Sequence, residues 1–333
     1  MRLVSVLGDS ISTYDGYNPK GYSVYYDSEL QRQNDMSSVY DTWWAKVNKA
    51  LQAFLCVNNS YSGSKVSGKD FPAGCCEERL NYLRTKEFDP DFILVYMGFN
   101  DFGYGVDLKT FESCYDYILE TLRLHYSRTK IICGTLMRTR IKSNNEWIFP
   151  ECHLGIEFEK YNDIIRISTR RNDCYLVDIG RDKSEYETKD GSHPTISGHT
   201  TIAKAWIDGL GEIGLLEPSV ESCIKMYYAN NYDDLSLYMV FEALSRERVL
   251  VPLHENGNPL GLSLDNQLII PLFTTLNETD SGIRSKLQAV FLKDIIQILF
   301  ALNMNIVINP FSAPDKAFVI PYSLIEKMLL PLI

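Results

Sequence analysis

Leu3-Val4-Ser5-Val6-Leu7-Gly8-Asp9-Ser10 is the stretch on which the fold of this chain turns. Its apolar, β-branched run has the pattern of a short buried strand, and Gly8-Asp9-Ser10 follows as a tight turn. The serine therefore falls at the carboxyl end of a strand, where open α/β sheets hold their ligands. Outward from it, similar runs at 54–57, 92–97, 130–136 and 175–179 alternate with segments of helical period at 41–52, 77–85, 111–126, 157–171 and 197–210. Five strands and five helices in this rhythm predict βαβ units around a parallel sheet, an α/β domain.

Around 209–219 glycines and a proline interrupt the pattern. The expected organisation is a first domain over 1–215, a linker over 216–231 and a second domain over 232–333. The second part reads as a helix at 233–245, strands at 249–253 and 267–274, a long helix at 285–302, and strands at 305–308 and 317–320. That mixed order predicts a small α+β domain.

A serine hydroxyl is inert near neutral pH unless a positioned base removes its proton. His193, in Asp190-Gly191-Ser192-His193-Pro194, supplies such a base, because the segment follows the fifth strand and so falls at the same sheet edge as Ser10. Asp190, three residues upstream on a tight turn, reaches the imidazole and fixes its tautomer. Taken alone, Gly8-Asp9-Ser10 also fits a turn with an Asx cap and no chemistry. Gly8-Asp9-Ser10-Ile11-Ser12 lacks the second glycine of a nucleophile elbow, which argues against an α/β-hydrolase. Acyl transfer further requires donors aimed at the oxygen that becomes negative. The Gly63 N–H in Asn58-Asn59-Ser60-Tyr61-Ser62-Gly63-Ser64 and the Asn100 amide in Gly98-Phe99-Asn100-Asp101 follow the second and third strands. With the Ser10 N–H they make an expected oxyanion hole of Ser10, Gly63 and Asn100. Asp9 and Asp101 are expected to hydrogen-bond their own loops.

Ser10, Gly63, Asn100 and His193 resemble, in order and context, the four named residues of the SGNH (GDSL-like) hydrolase family, over residues 1–210. The resemblance implies a flavodoxin-like three-layer α/β/α fold with a five-stranded parallel sheet and no metal or organic cofactor. It also implies a serine esterase acting on esters that include acetylated sugars, lipids and thioesters. Thr42-Trp43-Trp44 and Phe71-Pro72-Ala73-Gly74-Cys75 are similar to runs in close relatives. The tail resembles the SseB N-terminal-like domain through Val251-Pro252-Leu253, Ile270-Pro271-Leu272-Phe273-Thr274, Ile306-Val307-Ile308-Asn309-Pro310 and Phe318-Val319-Ile320-Pro321. That resemblance implies binding or regulation, with a protein partner. Two rival readings use the same residues: an O-acyltransferase acting on a sugar hydroxyl, and an inactive hydrolase fold serving as an adaptor.

The insertion 14–40 is far longer than the ~2–6 residues of an ordinary βα loop. It carries Tyr14, Tyr17, Tyr22, Tyr25, Tyr26 and Tyr40, just before Trp43 and Trp44. Tyr14, Tyr17, Trp43 and Trp44 are the expected walls of a substrate pocket, although packing of the loop onto the domain explains the same rings. The 333 residues, 45% of them hydrophobic, describe a globular chain, and a net charge of −10 argues against nucleic acid or an anionic membrane as partner. No apolar stretch reaches the ~18–20 residues of a membrane span, and the N-terminal run is too short for a secretion signal. Eight cysteines without a CxxC pair suit thiols in a reducing cytosol rather than a zinc site, so a cytoplasmic protein without a metal is expected.

Overall fold

Strands Ala53–Ser60, Arg2–Gly8, Phe92–Tyr96, Lys130–Gly134 and Tyr175–Val177 lie side by side in that order. They belong to a computed structural model that describes residues 2–141, 149–216 and 218–329 apart from 255–256, 265–266, 276–277, 280–282, 284–285 and 315. The strands run parallel, with Val4 opposite Phe92, Phe92 opposite Lys130 and Ile132 opposite Tyr175. Val4, Val6, Leu7, Ile93, Leu94 and Val95 have no solvent exposure. Each such side chain contributes about 1.5–3 kcal/mol by leaving water, which is why the central strands of a doubly covered sheet read as unbroken apolar runs. Helices Trp43–Ala50 and Ile196–Glu212 cover one face, where Trp43 stacks on Trp206 at 5.2 Å. Helices Leu108–His125 and Phe158–Arg171 cover the other, joined by Phe111 and Tyr161 at 4.9 Å. This is the three-layer, flavodoxin-like order, and its chain connections leave strand Arg2–Gly8 in opposite directions. The crevice they create opens beside the carboxyl end of that strand.

The five expected strands and five expected helices are present. The helix expected at 77–85 is cut to Glu77–Asn81 because neighbouring side chains take its last carbonyls. Asn59 Nδ2 donates to the Arg79 and Tyr82 carbonyls, and Tyr126 Oη to that of Leu80. Two features carry no signal in the sequence: Arg138–Ile141 pairs in parallel with Glu185–Thr188, and Phe99–Gly103 forms a short helix. The insertion holds a helix of its own, Ser28–Gln33, whose first N–H groups are capped by Asp27. It docks on the segment around residue 193, where Tyr26 Oη donates to the Pro194 carbonyl and the Ile196 N–H to the Asn34 carbonyl.

His199 is fully buried on helix Ile196–Glu212, and its Nδ1 accepts the Trp43 N–H at 3.2 Å. Burial pushes its imidazole down to about 3, helped by the charge of Lys46. A histidine lowered on folding stabilises the fold fully above its unfolded value of about 6.5, and that contribution is lost as pH falls towards the folded value. His199→Gln keeps an acceptor for the Trp43 N–H and removes the titration. Its melting temperature is therefore expected to fall less steeply than that of the wild type between about pH 6.5 and pH 4. Equal slopes in a thermal-melt series over that window would refute the assignment.

The described residues separate into two units, Leu3–Leu216, and Arg2 with the segment from 218 on. In the second, helices Val220–Ala229 and Asp234–Arg246 come first. Strand Arg248–Pro252 then pairs antiparallel with Leu287–Phe291. A four-stranded sheet runs Leu262–Leu264, Gln267–Leu272, Asn305–Ile308, Phe318–Ile320, with a parallel central pair and antiparallel outer pairs. Val240, Phe241, Leu244, Val249, Leu272, Leu299 and Ile306 belong to its core. The stretch 216–231, expected as a linker, carries helix Val220–Ala229, capped by Ser219. The helix expected at 285–302 begins only at Leu292. Leu287-Gln288-Ala289-Val290-Phe291 suits a helical turn or a strand on periodicity alone, and the buried run Val249-Leu250-Val251 draws it into a ladder. Residue 285, where that expectation starts, lies outside the described residues. Among the described residues no helix is long and apolar enough to cross a membrane.

Candidate active site

Ser10 opens a single 3-10 turn, Ser10–Ser12, directly after strand Arg2–Gly8. Asp9 caps the turn by accepting the Ile11 N–H at 3.0 Å, and the Ser12 and Thr13 N–H groups close onto the carbonyls of Asp9 and Ser10. Burial pushes the Asp9 carboxyl up to about 7, against the downward pull of the Ile11 hydrogen bond and the Arg79 charge. The hydroxyl is thus presented by a rigid, locally bonded turn.

Ser10 Oγ lies 2.9 Å from His193 Nε2. His193 Nδ1 lies 2.6 Å from Asp190 Oδ2, while Asp190 Oδ1 accepts the Ser192 and His193 N–H groups at 2.9 and 2.8 Å. Burial acts to raise the Asp190 carboxyl, but the hydrogen bond and charge of His193, with the two N–H donors, outweigh it and hold the group well below the usual carboxylate range. A carboxylate so held keeps the imidazole proton on Nδ1 and leaves the Nε2 lone pair facing the hydroxyl. The turn that carries both residues is pinned by an isolated bridge between Thr188 and Pro194 and by the Thr139 hydroxyl, which donates to the Gly191 carbonyl at 2.8 Å.

The loop after strand Ala53–Ser60 reaches the root of the serine turn, since the Tyr61 N–H donates to the Gly8 carbonyl at 3.2 Å. Gly63 in this loop sits at φ +78, a conformation glycine adopts without a Cβ penalty. After strand Phe92–Tyr96, Gly98 at φ +134 leads into helix Phe99–Gly103, and a Cβ there would crowd Phe111 and Leu136 at 3.2 and 3.3 Å. Asn100 Nδ2 donates one hydrogen to the Ser64 carbonyl at 2.8 Å, tying the two loops together. Asp101 accepts the Val66 and Ser67 N–H groups at 2.7 and 3.0 Å, so it braces the neighbouring loop, whereas Asp9 bonds its own.

Arg79 carries no signal in the sequence, where a charged residue on a short helix looks solvated. It is fully buried, and all five N–H donors are taken, by the carbonyls of Gly8, Asn59 and Pro72, by Asn59 Oδ1 and by Ser64 Oγ. Burial pulls its guanidinium down to about 10. One side chain thereby joins the strand that leads into Ser10 to the loop that holds Gly63.

Trp43 and Trp44, expected on a pocket wall, are core residues at 0% and 2% exposure. Thr42 caps the helix at this point, and both indole N–H groups turn inward to Ser12, one to its hydroxyl at 3.1 Å and one to its carbonyl at 3.0 Å. Tyr14 is buried as well, and Tyr17, 44% exposed, packs against Tyr14 and Trp44. The insertion reaches the site through a different ring, that of Tyr25, which stacks on His193. Among the described residues no three His, Cys, Asp or Glu side chains cluster so as to hold a metal ion.

A comparison with curated protein sequences finds no match. Among solved structures the chain is similar to a candidate GDSL-like lipase from Bacteroides ovatus, with a TM-score of 0.50 and 24% identity, over 64% of this chain and 99% of that one. A second candidate GDSL-like lipase, from Bacteroides uniformis, gives 0.48 and 24% over 64% and 96%. A carbohydrate acetylesterase from Sinorhizobium meliloti gives 0.46 and 14% over 64% and 100%. The first of these supports a shared fold and no more. The family model for GDSL-like lipase/acylhydrolases matches residues 2–208. That span takes in every strand of the parallel sheet and the loops that carry Ser10, Gly63, Asn100 and His193, and the chain belongs to the GDSL-like lipase/acylhydrolase family.

Proposed function

We propose that this protein is a serine esterase that cleaves a carboxylic ester by two-step acyl transfer. The observation that carries the reading is the continuous hydrogen-bonded line from Asp190 through His193 to Ser10 Oγ. His193 Nε2 takes the hydroxyl proton as Ser10 Oγ bonds to the ester carbonyl carbon. The carbonyl oxygen becomes negative within reach of the Ser10 and Gly63 N–H groups and the second hydrogen of Asn100 Nδ2, the first being held by Ser64. Each such donor lowers the barrier by about 2.7–4 kcal/mol. Collapse of the intermediate expels the alcohol, which receives the proton from His193, and water activated by the same imidazole then releases the acid. Esters with small acyl groups, acetylated carbohydrates among them, are the proposed substrate class. The segment from 232 on, with its SseB-like apolar and proline runs, is proposed as a binding module outside the chemistry.

A fluorophosphonate probe tests the reading, because phosphonylation demands an activated serine. Labelling of the wild-type chain, mapped to Ser10 by peptide sequencing, is the expected result. An unlabelled, folded protein would favour the adaptor reading instead.

A further inference from the structure

The geometry points to Tyr25 of the 14–40 insertion as a positioning residue that clamps His193 and Asp190 together, an inference that rests on the acyl-transfer reading of those residues. The Tyr25 and His193 rings are stacked, with centroids 3.3 Å apart and planes 10° from parallel. Tyr25 Oη donates to Asp190 Oδ2 at 2.8 Å, the same oxygen that receives His193 Nδ1. Since Oδ1 holds the Ser192 and His193 N–H groups, each carboxylate oxygen has two donors and the group cannot rotate without breaking a pair of them. Burial, with the neighbouring Asp190, raises the Tyr25 phenol well above its ordinary value, so it remains a donor.

Tyr25 is itself held by the nucleophile's turn. Its backbone N–H donates to Thr13 Oγ1 at 2.9 Å, and that hydroxyl donates to the Ser10 carbonyl at 2.9 Å. Tyr26 meets the Tyr25 ring edge-on at 4.9 Å and anchors to the Pro194 carbonyl beside His193. The clamp therefore links the serine turn and the insertion that follows it to the histidine loop, which lies 165 residues further along the chain. Two physical consequences follow. The stack keeps the imidazole plane aimed at Ser10 Oγ, and the π face meets the positive charge that His193 acquires during the reaction. The phenol holds Asp190 in the orientation that the Nδ1 proton requires.

Steady-state kinetics of the full chain on p-nitrophenyl acetate test this. Tyr25→Phe keeps the ring and loses the hydrogen bond to a charged group, so kcat is expected to fall about 10-fold with KM changed less than about twofold. Tyr25→Leu loses the stack as well and should lower kcat further. The decisive comparison is a double-mutant cycle with Asp190→Asn, in which the Tyr25→Phe effect on kcat should largely vanish if Tyr25 acts through Asp190. The same fold-loss in both backgrounds, or a rise in KM at unchanged kcat, overturns the inference. Ser10→Ala separates the two levels. If that variant is inactive while both Tyr25 variants keep wild-type kcat, the clamp alone is wrong; if it retains activity, the reading of the whole site is wrong.

Discussion

Ser10→Ala is expected to lose hydrolysis of p-nitrophenyl acetate almost completely, with kcat down by about 10⁴- to 10⁶-fold, while folding as the wild type does. The size of the loss follows from what the hydroxyl provides. In the proposed mechanism it is the atom that bonds to the carbonyl, and the first step depends on it. The structural cost is small, because the turn is bonded through its backbone and through Asp9, and among the described residues the Ser10 hydroxyl bonds only to His193. Circular dichroism and the melting temperature should therefore match the wild type. Wild-type turnover in this variant would end the esterase proposal, whatever the geometry.

Asp190→Asn carries the second largest expected effect, a loss in kcat of about 10³- to 10⁴-fold at nearly constant KM. Asparagine fits the same turn, since its carbonyl oxygen replaces Oδ1 as acceptor for the Ser192 and His193 N–H groups. Its amide nitrogen then faces His193 Nδ1 as a donor. The imidazole must present a lone pair there, its proton moves to Nε2, and the ring no longer accepts from Ser10. Loss through a wrong tautomer leaves binding and folding intact, which separates it from loss through disorder. A variant with normal kcat would show that His193 is oriented without Asp190 and would remove the carboxylate from the mechanism.

The α/β half was legible because its central strands are buried on both faces. Val4, Val6 and Leu7 or Ile93, Leu94 and Val95 must all be apolar when helices cover both sides, and such runs announce themselves at any register. Ser10, Gly63, Asn100 and His193 were candidates for a related reason: ligands of a parallel sheet gather on strand-end loops, so the order of strands also orders the candidates, and of these the structure brings His193 to Ser10. Legibility failed at Leu287–Phe291, where five residues cannot separate a period of two from one of 3.6, and the neighbouring strand decided the outcome. It failed again at Trp43 and Trp44, whose aromatic character suits a pocket as well as a core until Ser12 is seen to accept both indoles.

From the sequence alone came the parallel sheet, the strand that leads into Ser10 and the candidate polar residues on the loops that follow the strands. These follow from local periodicity and from turn chemistry, both properties of a few consecutive residues. Tertiary structure alone decided that Arg79 is a buried five-way tie, that Asp101 braces the Gly63 loop and that Tyr25 lies against His193. Those roles depend on where acceptors, donors and ring faces from distant segments converge. No spacing within the chain encodes such convergence, because a hydrogen bond or a stack is set by distances in space.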